Sequence, residues 1–488
     1  MASASAKSAP SNFWELRSAS GTPPSARPNA KRHAALQALV TQLEPEEFDF
    51  SEAALKAHSG DKWFASHLPE AVAFPKSTES VSKILAHASK HRIPVTPRGA
   101  GHGYVGGCVP LKGGIALSMR NLDRVLEINR DDFVAVVQPA VITAKLQEAV
   151  ERKGLYYPPD PASRAECSIG GNIATNAGGP RCLKYGVTRD YVLGLEVVLA
   201  DGTVTRLGSR THKNKTGFDL HRLFVGSEGM LGVVTEATLK LVPLPPFRAC
   251  LGVGFSAMPT AIRALRAIFA AGFLPSALEI ADEFTLRAAQ RRTGSKRLAG
   301  CAAHMIVELD GQEGSVRAEI RELVRVLAPL KPLFIDRGFG PEGCESLWQL
   351  RRQFSYALRD TGLTKLNEDI VVPRGRLQEL FRLAAGLQRK HGIQVACFGH
   401  AGDGNIHVNL MVDESSAAQK AASERALDEL FQGVIALGGT ITGEHGIGIA
   451  KGPWWPLAAA EPVRELHRRI KTALDPHGIL NPGKFLGS

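Results

Sequence analysis

The 488-residue sequence has only seven cysteines, and no two of them form a CxxC pair. They are spread singly along the chain, at Cys108, Cys167, Cys182, Cys250, Cys301, Cys344 and Cys397. Zinc ribbons and cysteine-ligated iron–sulfur clusters need closely spaced thiolates, so the spacing excludes both. It also argues against a disulfide framework, and the odd count is typical of a reducing compartment.

Long apolar runs are missing as well. No segment is long and apolar enough to span a bilayer, and the N-terminus lacks the compact apolar core of a secretory signal. We therefore expect a cytoplasmic protein without a transmembrane segment. Residues 1–30 are rich in Ala, Ser and Pro and predict a mobile extension. They contain a single acid, Glu15, so a mitochondrial transit peptide is the alternative for this segment.

Positive charge is in excess, since 59 Lys and Arg against 48 Asp and Glu give a net charge of +11. The cations are scattered, and no basic stretch is interleaved with aromatic residues as single-strand binders require. The composition therefore predicts no nucleic-acid partner. It indicates a solvated basic surface that attracts acidic substrates, and it leaves peripheral contact with a membrane open.

The length predicts more than one domain, and the order of predicted elements is typical of an α+β protein. Residues 78–91 predict an amphipathic helix capped by Thr78. Residues 192–207 predict a hairpin around Asp201-Gly202. The closely spaced prolines of residues 243–246 predict a boundary. We divide the chain into the extension (1–30), a first domain (31–245), an α/β second domain (246–440) and a C-terminal segment (441–488).

A GxGxxG motif at Gly101–Gly106 follows a strand-like segment. A dinucleotide fingerprint of this kind must also open a helix, but Gly107-Cys108-Val109-Pro110 follows here. The Rossmann interpretation therefore fails. What remains is a loop, residues 97–107, with five glycines whose backbone N–H groups can cradle phosphate without a helix.

Two further glycine-rich segments are predicted to be loops of the same kind. Residues 168–179 offer Asn172, Thr175 and Asn176 as hydrogen-bonding side chains, and their small neighbours let a large planar ligand approach the backbone. Residues 225–234 form the third segment. One such loop is weak support for a cofactor site, but three in this order, separated by strands, are strong.

Four stretches carry a resemblance to a known family: PRGAGHGYVGG, PPDPASRAECSIGGNIATNAGG, KYGVTRDYVLGLEVVLADG and FVGSEGMLGVVTEATLKLVP. They are similar to the FAD-binding domain of the vanillyl-alcohol oxidase / p-cresol methylhydroxylase superfamily. Within it, the sequence most resembles the branch of D-lactate dehydrogenase, the glycolate oxidase flavoprotein subunit and D-2-hydroxyglutarate dehydrogenase. The similarity covers about residues 65–486.

The resemblance implies a two-subdomain FAD-binding domain of the p-cresol methylhydroxylase type, an α/β cap domain for substrate, and a C-terminal segment that completes the active site and returns to the FAD domain. It implies that the pyrophosphate is held by Arg98, Gly99, Ala100, Gly101, His102 and Gly103. It further implies FAD contacts at Pro159, Asp160, Ser168, Gly171, Asn172, Asn176, Gly178, Glu228, Gly229, Gly232, Val234 and Asn481.

One departure from the branch concerns His102, where its members usually have Thr or Ser. In other branches of the superfamily a histidine after an R-x-x-G stretch is bonded covalently to the flavin. Arg98-Gly99-Ala100-Gly101-His102 has that spacing. We therefore hypothesise an 8α-histidyl link to FAD, against the alternative that His102 is only a polar neighbour of the phosphates.

A divalent metal site is predicted from two histidines, His400 and His407, around a tight Asp-Gly turn. If residues 402–405 form the turn, the histidines oppose one another with Cβ atoms about 4.5–5.5 Å apart. Glu444 would add a carboxylate ligand, giving the His₂Glu set of an open zinc site, with His445 left as general base. The HxGDGNxH and GEHG motifs of the resembled branch imply these same roles, with Zn²⁺ favoured and Mn²⁺ or Fe²⁺ as alternatives.

A substrate carboxylate is assigned to Arg351, because Leu347-Trp348-Gln349-Leu350-Arg351 resembles a W-x-x-R segment of the branch. Arg352 is the alternative counterpart. The resemblance also implies substrate contacts at Lys365 and Asn409.

The sequence thus predicts an enzyme that oxidises a small D-2-hydroxy acid with FAD, D-lactate first and then glycolate or D-2-hydroxyglutarate. A lactone, alditol or alcohol oxidase with covalent FAD and a non-catalytic flavoprotein subunit remain the alternatives. Since no cluster-binding cysteines are present, electrons must pass to a separate acceptor: a cytochrome, a quinone, an electron-transfer flavoprotein or O₂.

Overall fold

The computed structural model describes Trp14 and residues 30–487. The predicted extension and transit peptide (residues 1–30) thus lie outside the described residues, except for Trp14 and Ala30. The described chain forms two compact units. The terminal unit contains the described residues up to Gly178, together with Val187–Leu244 and 444–487. The central unit contains Gly179–Gly186 and Pro245–Gly443.

The strands are β1 Phe48–Asp49, β2 Ala71–Ala73, β3 Val95–Arg98, β4 Ile115–Ser118, β5 Val125–Asn129, β6 Val134–Val137, β7 Leu155–Tyr156, β8 Val192–Val198, β9 Val204–Gly208, β10 Val233–Lys240, β11 Val242–Pro243, β12 Phe247–Phe255, β13 Ala277–Asp282, β14 Ala303–Gly311, β15 Phe334–Phe339, β16 Thr364–Val371, β17 Gln394–His400 and β18 Asn405–Val412.

The helices are α1 Ala30–Val40, α2 Glu52–Ala57, α3 Thr78–His91, α4 Thr143–Glu151, α5 Ile169–Thr175, α6 Cys182–Tyr185, α7 Leu220–Phe224, α8 Met258–Ala270, α9 Glu283–Thr293, α10 Glu313–Leu327, α11 Gly340–Arg359, α12 Leu377–His391, α13 Ala417–Ala436, α14 Trp455–Ala458 and α15 Glu461–Leu474. None of the described helices is long and apolar enough to cross a membrane.

The terminal unit holds two larger sheets. One has the strand order β1-β2-β4-β3, with β4 parallel to both β2 and β3. The other is antiparallel, in the order β5-β6-β10-β8-β9. Helix α3 buries Val81, Ile84, Leu85 and Ala88 in the same core as strands of the first sheet. The loop that follows β3 therefore starts from a well-packed strand.

The central unit is built on one antiparallel sheet of seven strands, in the order β15-β12-β14-β13-β17-β18-β16. Helix α11 packs against β12 and β15, and α12 packs against β17 and α13. All residues of β18 are buried, and Phe354 of α11 shares a core with Phe398 of β17. Side chains on these strands are therefore shielded from water by the packed helices.

The predicted helix and the predicted hairpin are both confirmed, with small changes at their ends. The helix over residues 78–91 is present, but Ser77 rather than Thr78 is its cap, since Ser77 Oγ accepts a hydrogen bond from the Ser80 N–H. The predicted hairpin is β8 and β9, which pair antiparallel around Asp201-Gly202.

The prediction that the glycine-rich segment 168–179 is a loop is partly wrong. Residues Ile169–Thr175 form helix α5. Ser168 caps it by accepting the Gly171 N–H, Ile169 and Ile173 are fully buried, and Asn176 ends it with φ +53°. Capping and apolar burial therefore outweigh the poor helix propensity of the two glycines.

Candidate functional site

The two histidines of the predicted metal site lie on neighbouring strands of the central sheet. His400 ends β17, and His407 lies within β18. The register pairs His400 with Asn405 and Phe398 with His407, so the expectation that the histidines face each other directly is wrong. They are diagonal neighbours on one face of the sheet, with ring centroids 5.6 Å apart and ring planes at 80°.

The register differs because Asn405 belongs to the strand and not to the turn. Its Nδ2 donates to Asp369 Oδ1 at 2.6 Å and to the Ile370 carbonyl at 2.9 Å, both on β16. The connection is therefore residues 401–404. Gly404 has φ +88°, and a Cβ there would lie 2.0 Å from the Val372 carbonyl oxygen, so the loop must close at this glycine.

Glu279 of β13 lies beside His400 on the same face of the sheet. Its Oε1 is 2.5 Å from His400 Nδ1, and its Oε2 is 2.5 Å from Arg351 Nε. Burial alone would raise the pKa of Glu279, but the charges of His400 and Arg351 outweigh it and lower the pKa to about 2. Because the carboxylate holds a proton at Nδ1, Nε2 is the nitrogen of His400 that can bind a ligand once it has lost its own proton.

The residues present fit a divalent metal ion. One ring nitrogen of His400 and one of His407 lie within 4.8 Å of each other, and both side chains are buried. Paired imidazoles, one of them backed by a carboxylate, are donors that Zn²⁺ and similar ions prefer. The histidine pair is therefore suited to hold an ion.

Asp369 of β16 connects this histidine face to the TGEHG segment. It accepts hydrogen bonds from Thr442 Oγ1 at 3.0 Å and from the Gly443 N–H at 2.9 Å. Gly443 is bonded directly to Glu444, whose Cα must lie about 3.8 Å from that of Gly443. Asp369 therefore fixes the start of the segment that carries the third predicted ligand.

Arg351 and Arg352 of α11 differ sharply in surroundings. The Arg351 side chain is 14% exposed and its guanidinium carbon lies 4.7 Å from the centre of the Phe398 ring. The Arg352 side chain is 49% exposed and pairs with Glu345. Only Arg351 is held rigidly near the histidine face, so it is the better candidate for a bidentate carboxylate contact.

Lys365 and Asn409 lie further along the strands that carry Asp369 and His407. Lys365 Nζ donates to Ser355 Oγ at 2.7 Å, and burial, aided by Arg359 and Arg351, lowers its pKa to about 8. Asn409 Nδ2 donates to two backbone carbonyls, whereas its buried Oδ1 accepts nothing from the residues that the structure describes. A partly buried cation and an unused acceptor favour a ligand that has both an anionic group and a hydrogen-bond donor.

A second group of metal-type ligands, Cys250, Glu308 and Cys344, is fully buried in the central unit. Arg181 donates to Glu308 from Nε and Nη2, and Trp348 Nε1 donates to it at 2.8 Å. The carboxylate is thus already neutralised by a cation. This group is better described as a structural ion pair than as a metal site.

In the terminal unit, the glycine loop after β3 meets the requirements of a phosphate cradle. No helix follows β3, which confirms that the motif is not a Rossmann fingerprint. Among the described residues, none accepts a hydrogen bond from the backbone N–H groups of residues 99–104. A Cβ on Gly99 would lie 2.5 Å from Ser168 Oγ, so the loop lies directly on the start of α5. Unused N–H groups of this kind fit the pyrophosphate of FAD.

Arg98 and His102 have partners within this unit. Arg98 Nη1 donates to the Gly60 carbonyl at 2.5 Å and contacts Cys108 Sγ at 3.2 Å. The guanidinium therefore connects the start of the glycine loop to residues on either side of it in sequence. His102 Nδ1 lies 3.0 Å from Glu166 Oε2. Partial burial lowers the His102 pKa, which the Glu166 charge opposes. A neutral imidazole keeps its nucleophilic lone pair.

The remaining predicted FAD residues form a compact set around α5 and the start of β10. Asn172 Nδ2 donates to Thr143 Oγ1, and the Pro159 carbonyl accepts from Gln147, so both serve the scaffold. Asp160 is buried, and Asn176 Oδ1 accepts the Arg189 N–H. Gly171 lies in α5, Gly178 follows it, and Ala100, Gly101 and Gly103 lie in the loop after β3.

Glu228 has a structural partner that the sequence did not indicate. Its buried carboxylate accepts the backbone N–H groups of Ile447 and Gly448, at 2.7 and 2.8 Å. Asn481 Nδ2 donates to the Glu228 and Gly107 carbonyls. These bonds connect the C-terminal segment to the glycine loop. Of the other residues predicted here, Gly229 has a left-handed backbone, Gly232 packs against Val197, and Val234 lies in β10.

Glu444 and His445 begin the last part of the terminal unit. His445 Nε2 lies 3.9 Å from Glu444 Oε1, and the His445 ring stacks on Tyr104 at a centroid distance of 5.4 Å. Tyr104 belongs to the glycine loop and was missed by the sequence analysis. The stack fixes the plane of the imidazole that is the predicted base.

The sequence analysis also missed Glu279 and Asp369. Both are acids with apolar neighbours in buried strand segments, LEI and DIV, and both are almost fully buried. An acid in the middle of a buried strand is costly unless it is paired. That pattern was the available signal for both positions.

Comparisons with known proteins identify the family. The models "FAD binding domain" and "FAD linked oxidases, C-terminal domain" match residues 69–208 and 244–485. The glycolate oxidase subunit GlcD of Bacillus subtilis (strain 168) is 39% identical over 448 residues, covering 92% of this chain and 95% of that protein. The D-lactate dehydrogenase of Anaerostipes hadrus is 33% identical over 430 residues, 86% of this chain and 89% of that protein.

Among solved structures, p-cresol methylhydroxylase with substrate bound superposes with a TM-score of 0.80 over 96% of this chain and 99% of that one, at 18% identity. This similarity supports the fold alone, and it confirms the predicted α+β architecture. The chain belongs to the FAD-linked oxidases, with an FAD-binding domain followed by the C-terminal domain of that family.

Proposed function

We propose that this protein oxidises a small D-2-hydroxy acid to the corresponding 2-oxo acid with FAD as oxidant. The observation that carries the proposal is the buried row Arg351–Glu279–His400 with His407 diagonally beside it. The row combines donors for a metal ion with a cation for a carboxylate. Glycolate and D-lactate, in the names of the two relatives above, are both 2-hydroxy acids.

The protein's own residues divide the work. Arg351 binds the substrate carboxylate through the N–H groups that Glu279 leaves unused. His400, His407 and Glu444 would hold a divalent ion, and His445, oriented by Tyr104, would accept the proton of the 2-hydroxyl at a ring nitrogen. Asp369 fixes Thr442 and Gly443, the two residues that precede Glu444.

Two bound groups supply chemistry that side chains lack. FAD, held by the loop of residues 99–104 and the residues around α5, supplies the acceptor for the hydrogen and electron pair on C2. A divalent ion, for which we favour Zn²⁺ over Mn²⁺ or Fe²⁺, supplies Lewis acidity toward the hydroxyl oxygen. The reduced cofactor then needs a separate acceptor, such as a cytochrome, a quinone, an electron-transfer flavoprotein or O₂.

A His400→Ala variant tests the assignment, with His391→Ala as its matched control. His391 is a mostly buried histidine of the same unit that pairs with Glu429. We expect His400→Ala to lose its metal and at least a hundredfold in kcat, while FAD content and the His391→Ala variant stay near wild type. A His400→Ala protein with full turnover and metal content would contradict the proposal.

A covalent-FAD oxidase acting on a lactone, an alditol or another alcohol is the second candidate, and the place of His102 in the glycine loop favours it. Its substrate would need no metal, so the two candidates differ in metal dependence. Turnover of an alditol or a lactone by metal-free protein would replace the first proposal with this one.

Within the first proposal, D-lactate is the substrate we expect, followed by glycolate and D-2-hydroxyglutarate. Steady-state kinetics with the three acids ranks them by kcat/KM. A clear preference for D-2-hydroxyglutarate would assign Lys365 to a second carboxylate, because it is a partly buried cation near Arg351.

A further inference from the structure

Resting on the proposed function, we infer that Glu279 is a positioning residue that orients the metal-binding nitrogen of His400 and the carboxylate-binding end of Arg351 at the same time. No sequence motif contains it, and it contacts neither substrate nor ion in the proposed roles. One carboxylate would thus couple the metal half of the site to the carboxylate half.

The geometry of Glu279 supports this role. Its two oxygens are divided between two partners, Oε1 to His400 Nδ1 and Oε2 to Arg351 Nε, each at 2.5 Å. Glu279 is 1% exposed, and the side chains of His400 and Arg351 are 4% and 14% exposed. Water therefore cannot readily replace the carboxylate as a partner of either residue.

For His400, the consequence is a fixed tautomer. A carboxylate acceptor at Nδ1 requires a proton to reside there, so a neutral His400 presents its lone pair at Nε2. Without Glu279, a neutral His400 is free to carry its proton on Nε2, which removes a ligand atom. The Phe398–His407 pairing keeps the second histidine in place independently of Glu279.

For Arg351, the consequence is a fixed fork. Nε is taken by Glu279, so the other four of the five guanidinium N–H donors remain for a substrate carboxylate. The Phe398 ring, 4.7 Å from the guanidinium carbon, supports the plane from one face. Arg351 is thereby held by Glu279 and by the rings of Phe398 and Phe354, and its terminal N–H groups remain for a ligand.

The test uses the FAD-loaded protein and a Glu279→Gln substitution. Glutamine keeps the volume but cannot accept from both partners. We expect Zn²⁺ affinity, measured by competition with a chelating dye, to fall ten- to hundredfold. We expect KM for the hydroxy acid to rise at least tenfold, because the carboxylate fork is misplaced. A Glu279→Asp variant keeps the charge but shortens the side chain. It should therefore recover only part of the Zn²⁺ affinity and only part of the wild-type KM.

Glu308→Gln is the matched control. Glu308 is equally buried, lies on the adjacent strand β14, and pairs with an arginine, Arg181. A merely structural role for Glu279 predicts that both glutamine variants lose stability and neither changes Zn²⁺ affinity. Normal Zn²⁺ affinity and KM in Glu279→Gln would overturn the inference, even if His400→Ala loses its metal and the proposed function stands.

A second measurement covers the case in which Glu279→Gln does not fold. In metal-free wild-type protein labelled with ¹⁵N-histidine, and with the His400 signals assigned by difference from His400→Ala, we expect His400 to be protonated at Nδ1. Protonation at Nε2 alone would refute the positioning role. Wild-type protein that binds no Zn²⁺ would refute both the positioning role and the metal part of the proposed function.

Discussion

Replacing Asp369 by asparagine should loosen the segment that leads into Glu444. The wild-type carboxylate accepts three hydrogen bonds in a fully buried place: from Asn405 Nδ2, Thr442 Oγ1 and the Gly443 N–H. Asparagine offers a single oxygen, so its NH₂ group must face at least one of these donors. Either the one donor at Oδ1 or the two donors at Oδ2 are then left without an acceptor, and this is the source of the expected loss.

The magnitude follows from the number of lost bonds. A hydrogen bond to a charged group contributes about 1.5–3 kcal/mol, and part of the loss is recovered by relaxation. We expect Asp369→Asn to lower the free energy of unfolding by about 3 kcal/mol. Metal content should fall as well, because Gly443 no longer fixes the backbone of Glu444.

Urea unfolding and elemental analysis of the purified protein measure the two effects. Asp413→Asn is the control, since Asp413 is an acid of the same unit that serves only its own turn, by accepting from Ser415. It should change stability by less than about 1 kcal/mol. If Asp369→Asn unfolds at the wild-type urea concentration and keeps its metal, the proposed anchoring of Gly443 is wrong.

Three further predictions concern the cofactor and the scaffold. Gly99→Ala should weaken FAD binding about tenfold, because a Cβ placed 2.5 Å from Ser168 Oγ would push the glycine loop away from α5. Flavin titration of the apoprotein measures the affinity. Gly314→Ala is the control, since a Cβ at Gly314 meets open space. Acid precipitation should release all flavin as free FAD if His102 forms no covalent link, whereas flavin that stays on the denatured chain and is freed by His102→Ala would establish the link. Burial raises the pKa of Asp282 from 3.8 to about 6, so the folded state holds its proton more tightly and the associated stability, full below about pH 4, is lost as pH rises through 6. Asp282→Asn should therefore lose less stability than wild type between pH 4.5 and 7.5, by about 2 kcal/mol in urea unfolding, and parallel pH curves would refute it.

Local patterns were enough to predict the elements that depend on neighbours in sequence. The helix over residues 78–91 has its apolar residues on one face, and the hairpin of β8 and β9 is specified by Asp201-Gly202. The prediction of a loop over residues 168–179 was partly wrong, because the burial of Ile169 and Ile173 depends on the rest of the unit. That burial outweighs the low helix propensity of the glycines.

The candidate site shows a similar division. The ligand types His400 and His407 could be identified from their motif, but their diagonal relation depends on the side-chain bonds of Asn405 to β16, which is distant in sequence. Glu279 lies more than a hundred residues from His400 and in no motif, so only the pairing of β13 with β17 brings it there. Contacts across a sheet of this strand order cannot be deduced from a single sequence.

The most direct test of the account is the anaerobic absorbance of the bound flavin during titration with D-lactate, glycolate, D-2-hydroxyglutarate and the L-enantiomers. We expect one of these acids to bleach the flavin, with the D-form preferred where the acid is chiral. We also expect bleaching to be abolished by a chelator and restored by Zn²⁺. Flavin that stays oxidised with every acid, or bleaches equally well without metal, would contradict the account.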